Sequence, residues 1–158
     1  MAEGSAPDHQ SRVAHGGQTP AARSADASPR ITLPEAAKAL FAGTNFVTVG
    51  TIDPDGKPQL SVVWAKLDGE DVLFSTIKGR RKYGNLTKDG RASALVYPAD
   101  DPYSYAEVRG RVTLTDDPSA HLINELSIKY TGEPFGDRPG EQRVIVRIIP
   151  ENVVLYVD

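Results

Sequence analysis

The chain has 158 residues, of which 39% are apolar and 25% charged; 18 Lys and Arg stand against 21 Asp and Glu, for a net charge of −3, and there is no cysteine. Disulfides, thiolate metal sites and cysteine nucleophiles are thereby excluded, as is a generally basic nucleic-acid coat. No run approaches the ~18 apolar residues of a membrane span, and a reducing, cytoplasmic setting is the expectation.

Residues 1–30 form a separate composition, with Val13 the only large aliphatic side chain after Met1. Such a segment buries too little apolar area to offset its ordering entropy, so a disordered tail is expected before a single domain over 31–158. Thr32, Pro34 and Glu35 have the pattern of a helix start, with Thr32 as cap, and the helix is expected to end at Gly43. A β-branched strand follows over 46–52, then a Pro-Asp-Gly turn over 53–57 and a second strand over 58–67. Asp68-Gly69-Glu70 turns the chain into a third strand over 72–76, which predicts two consecutive hairpins in a meander.

Residues 78–89 are expected to be a polar helix with Tyr83 and Leu86 on its apolar edge, followed by a strand over 91–97 and a loop over 98–102. A long strand is predicted over 105–115. The next helix is expected to begin at Asp116-Asp117-Pro118, with Leu122, Ile123, Leu126 and Tyr130 as its buried stripe. A Gly- and Pro-rich loop over 132–140 leads to two last strands, 143–149 and 153–157. Six or seven mostly antiparallel strands with short helices predict a mainly β fold, a small split β-barrel with helical covers.

Charge is concentrated between Lys78 and Arg91. Six cations (Lys78, Arg80, Arg81, Lys82, Lys88 and Arg91) face Asp89 alone, a local +5, so the rest of a chain of net −3 sums to −8. Ser75 and Thr76 end the strand before Gly79, and Arg80, Arg81 and Lys82 open the helix after it. Two hydroxyls, free helix N–H groups and fixed cations form a phosphate cradle, to which Asn85 would add a neutral donor. A solvated basic helix face is the other reading of the same run. Nucleic acid is not the expected partner, because the run is short and has no aromatic ladder.

The segments Asp55-Gly56-Lys57-Pro58-Gln59-Leu60-Ser61-Val62-Val63-Trp64, Val72-Leu73-Phe74-Ser75-Thr76, Arg80-Arg81-Lys82-Tyr83-Gly84-Asn85-Leu86 and Asp89-Gly90-Arg91-Ala92 together resemble the flavin/deazaflavin split-barrel family. That family includes pyridoxamine 5′-phosphate oxidases and oxidoreductases that use coenzyme F420. The resemblance implies a homodimer with the cofactor at the subunit interface and a small-molecule acceptor. It implies a cofactor phosphate on Arg80, Arg81 and Lys82 beside Ser75 and Thr76. The tricyclic ring would lie along Gln59, Ser61, Val62 and Val63, with Gln59 or Ser61 at its pyrimidine edge. The oxidase branch closes with an R-L-x-P motif, whereas Arg147-Ile148-Ile149-Pro150 falls a few residues earlier here. Residues 58–64 and Tyr103-Ser104-Tyr105-Ala106-Glu107-Val108-Arg109-Gly110 are more similar to the coenzyme F420 branch. Its reaction is hydride transfer to a conjugated acceptor, with FMN as the alternative cofactor and a non-catalytic flavin carrier as the alternative role. No residue is assigned an acid or base role. His121 is the one histidine of the domain, so an imidazole metal cluster is not expected. Trp64 reads equally as a pocket wall or a core indole.

Overall fold

The computed structural model describes residues 30–157; the expected tail, Arg30 apart, lies outside them. Its elements in chain order are α1 (Glu35–Ala42), β1 (Val47–Ile52), β2 (Pro58–Val63), β3 (Lys66–Asp68), β4 (Asp71–Ile77), α2 (Arg81–Lys88), β5 (Arg91–Val96), β6 (Tyr105–Asp116), α3 (His121–Thr131) and β7 (Arg143–Tyr156). The strands form one seven-stranded sheet, ordered β2-β1-β5-β6-β7-β4-β3, with every neighbouring pair antiparallel. The mainly β class with three short helices is as expected from the sequence.

The meander is not. Residues 58–67 do not run as one strand: they break at Trp64 and Ala65, and β2 and β3 lie at opposite edges of the sheet. The physical reason lies in Ala65, whose backbone bonds to α3 instead of to a strand. Its N–H donates to the Tyr130 hydroxyl at 3.2 Å and its carbonyl accepts from Lys129 Nζ at 2.7 Å. Three Cα steps from Val63 to Lys66 span at most about 11 Å. The two sheet edges are therefore forced together, and the sheet rolls into a barrel that no ladder closes. This is the split of a split barrel.

Alternating inward residues fill that barrel. Val47, Val49, Val72, Phe74, Val96, Val108, Val146 and Ile148 are all 0–1% exposed, and Leu33 just before α1 adds to the same core with Ala37 and Phe41 of that helix. A smaller cluster joins Leu122 and Leu126 of α3 to Leu73 on β4, with Trp64, Tyr130 and Ile145 at its margin.

Several helix and strand limits differ from expectation, among them the start of α2, at Arg81 and not Lys78, because Lys78 and Gly79 form the turn that precedes it. Thr32 makes no cap: Pro34 occupies the N-cap of α1 without a side-chain bond, and the Glu70 carboxylate takes the Leu33 N–H at 2.6 Å instead. The third helix begins at His121, not around Pro118, because the Asp117 carboxylate accepts from the backbone N–H groups of His121 (3.1 Å) and Leu122 (2.9 Å). The last two strands are one. Gly110 pairs with Pro150 and Arg109 with Asn152, so Glu151 is the extra residue of a bulge that lets a proline pass within the ladder. No helix among the described residues is long and apolar enough to cross a membrane.

Candidate functional site

At the split, β4 ends beside β2 and leads into α2. Gly79 makes the turn at φ +103°, a conformation that L side chains rarely adopt, and the Arg80 N–H closes it on the Ile77 carbonyl at 3.2 Å. Arg80 then occupies the N-cap of α2, and no side-chain oxygen caps the helix. The first-turn N–H groups are thus left to water or to an anion.

A cleft of about 320 Å³ opens here. Val62, Val63, Ser75, Thr76, Arg80 and Lys82 line it, and so do Phe46, Trp64, Ile77, Ile123, Phe135 and Arg143. Six of the ten residues expected to hold a cofactor are therefore together. A seventh, Ser61, joins them through Lys82 Nζ, which donates to its hydroxyl at 3.2 Å.

The other three face a different group. Arg81 Nε lies 3.6 Å from Asp53 Oδ1, and Asn85 is buried, its amide donating to Asp53 Oδ1 at 2.8 Å and to Thr51 Oγ1 at 3.1 Å. Gln59 sits opposite Thr51 in the β1–β2 ladder and accepts from the Thr51 hydroxyl at 3.5 Å. Asn85 thus ties α2 to the end of β1, and neither Arg81, Asn85 nor Gln59 lines the cleft.

The cationic run divides in the same way. Lys78 pairs with Asp116 (3.0 Å), Arg81 with Asp53 and Arg91 with Asp89 (2.7 Å). Arg80, Lys82 and Lys88 have no carboxylate partner among the described residues, and of these Arg80 and Lys82 line the cleft. Burial, with the like charge of Arg80 beside it, pulls the Lys82 ammonium below the usual lysine range. The hydroxyls of Ser75 and Thr76 are buried and have no hydrogen-bond partner. Two uncompensated cations and two orphaned hydroxyls around an uncapped helix start suit one occupant chemically, a phosphate group.

The remaining walls are apolar. Phe46, Trp64, Ile123 and Phe135 line the same cleft, with Trp64 and Phe135 in an edge contact at 6.5 Å between centroids. Arg143 completes the wall, held by Glu141 (2.7 Å) and set over the Phe135 ring. Of these, only Trp64 stands out in the sequence. Ile123, Phe135 and Arg143 come from elements that meet the cleft only through the sheet topology. Arg147, of the displaced Arg-Ile-Ile-Pro run, is engaged elsewhere: its guanidinium bonds to Asp68 (2.7 Å) and to the buried Asp71 (2.9 Å).

Comparisons with known proteins agree with this architecture. The structure of an F420 reductase is 30% identical over 77% of this chain and 98% of that one, with a TM-score of 0.71. A conserved hypothetical protein from Mycobacterium tuberculosis is 22% identical over 80% of this chain and 86% of its own (TM-score 0.66). General Stress Protein 26 from Bacillus anthracis is 17% identical over 77% and 92% (TM-score 0.61). The last two bear on the fold alone. The family model described as pyridoxamine 5′-phosphate oxidase matches residues 33–156, from just before α1 to the end of β7, and the chain belongs to that family.

Proposed function

We propose that the chain is an oxidoreductase that works with coenzyme F420 and reduces a small conjugated acceptor. The observation that carries this reading is that Arg80 and Lys82, which have no carboxylate partner among the described residues, line one cleft with Ser75 and Thr76, whose hydroxyls are buried without a hydrogen-bond partner. These four would hold the cofactor phosphate, and the wall of Val62, Val63 and Trp64 would flank its ring. The choice of deazaflavin over FMN is supported by the likeness to an F420 reductase over nearly the whole of that chain. When bound, the reduced cofactor supplies a hydride, and the acceptor takes its proton from solvent or a nearby donor. The chain's own share is to bind, orient and exclude water. A cytoplasmic setting belongs to the same reading.

Titration settles the cofactor, because Trp64, the only tryptophan, lies in the cleft and its emission reports occupancy. Coenzyme F420 is expected to quench it at lower concentration than FMN. The reduced cofactor is expected to be consumed in the presence of a quinone- or enone-type acceptor. A protein that purifies yellow with FMN and leaves reduced coenzyme F420 untouched would overturn the choice. Binding without turnover of any acceptor would make it a carrier.

A homodimer is part of the proposal. The outward side of β2 exposes Leu60 (65%) and Val62 (66%), and that of β7 exposes Val154 (42%) and Tyr156 (54%). By ladder register Leu60 and Val62 lie on the same side as Gly50 and Thr48, and Val62 also lines the cleft. Two apolar patches on one face, one of them running into the site, with the Glu107–Arg109 ion pair between them in the ladder, suit a second copy of the chain. Sedimentation equilibrium is expected to give twice the chain mass, and Leu60→Asp to give a folded monomer with weakened cofactor binding. A monomeric wild type would remove this part of the proposal.

A further inference from the structure

The aromatic wall of the cleft is fixed from behind. Tyr130 does not line the cleft, yet its ring stacks with two of the three aromatics that do: with Trp64 at 5.6 Å and 15° between planes, and with Phe46 at 6.0 Å and 25°. Its hydroxyl accepts the Ala65 N–H at 3.2 Å and donates to the Asn45 carbonyl at 2.7 Å. It therefore bonds the residue after Trp64 and the residue before Phe46. Lys129, its neighbour on α3, adds bonds to the Ala65 carbonyl (2.7 Å) and the Phe41 carbonyl (2.8 Å). Trp64 and Ala65 are the two residues that cross between the sheet edges, where no ladder holds the chain. The last turn of α3 supplies the bonds that the sheet does not.

We propose that Tyr130 is a positioning residue: through Ala65 and Asn45 it sets Trp64 and Phe46 as a rigid wall for the flat ring of the ligand, while Arg80 and Lys82 independently hold its phosphate. The inference rests on the function proposed above for the same cleft. It divides binding into a ring subsite that depends on α3 and a phosphate subsite that does not.

Tyr130→Phe keeps the ring and removes the hydroxyl. Loss of one bonded anchor is expected to weaken coenzyme F420 or FMN binding about tenfold and to leave the affinity for inorganic phosphate unchanged. In the ligand-free protein Trp64 emission should shift to the red, acrylamide quenching should rise and the Ala65 amide should exchange faster. Val108→Ala, a cavity in the barrel far from this contact in sequence, serves as a control matched for loss of melting temperature, and it should leave all three signals alone. Ring and phosphate affinities falling together, or a Tyr130→Phe signal no different from the control, would overturn the proposal. If the wild type binds neither cofactor, the functional reading fails, and the ligand-free signals still decide the role of Tyr130.

Discussion

Gly110→Ala is expected to cost the fold about 4 kcal/mol, the range of severe core substitutions, and to lower the melting temperature by roughly 8–16 °C. Gly110 pairs with Ala92 on one side and Pro150 on the other, at the bulge in the longest ladder of the sheet. A Cβ there would lie 1.9 Å from the Ile149 carbonyl oxygen and 2.8 Å from its carbon. Both atoms are backbone, so no side chain can turn aside. The strands must separate locally, and with them the β6–β7 pairing that carries Val108 and Val146 into the core. Gly84 and Gly90 meet nothing within 4 Å, and Gly84→Ala in α2 should leave the melting temperature unchanged or raise it slightly. Thermal denaturation followed by circular dichroism makes the comparison. A Gly110→Ala protein melting within two or three degrees of wild type would show that the bulge relaxes freely.

What was legible in the sequence was local. The Asp-Pro-Asp-Gly turn after β1, the β-branched strands and the burial stripe of α3 announce themselves within a few residues, and the structure has them. The break at Trp64 and Ala65 was not legible, because the groups that cause it, Lys129 and Tyr130, lie 64 and 65 residues away along the chain. The bulge at Glu151 hid for a related reason: a proline looks like a strand end until a glycine opposite it is known. The cationic run was legible as charge but not as a partition. Asp53 and Asp116, which neutralise Arg81 and Lys78, approach only once the strands are ordered. Asn85 was expected near a ligand because it follows Arg81 by one helical turn, yet its amide reaches Asp53, 32 residues earlier.

Lys82→Met is expected to move stability and binding in opposite directions. In the ligand-free protein the Lys82 ammonium is half-buried, has no carboxylate partner among the described residues and lies near Arg80, and its folded-state pKa is depressed chiefly by burial. Between that lowered value and the ordinary lysine value of 10.5 the unfolded chain binds more protons than the folded one, so stability rises with pH across that window. Below the window the whole penalty of a charged lysine with no carboxylate partner, bonded only to the Ser61 hydroxyl among the described residues, persists, and neutral pH lies on that side. Methionine keeps most of the length and removes the charge, with the bond to the Ser61 hydroxyl. The ligand-free variant should therefore melt higher than wild type, and the rise of stability with alkaline pH should flatten. Binding goes the other way, since the phosphate loses a charge-assisted bond of roughly 1.5–3 kcal/mol, about ten- to a hundredfold in affinity. The stabilisation that saturating cofactor gives to wild type should shrink accordingly. Calorimetry at several pH values, with and without cofactor, reads both effects. A variant that melts lower without ligand and binds as tightly as wild type would mean that Lys82 is a structural cation, and the phosphate cradle would have to be sought elsewhere on the barrel.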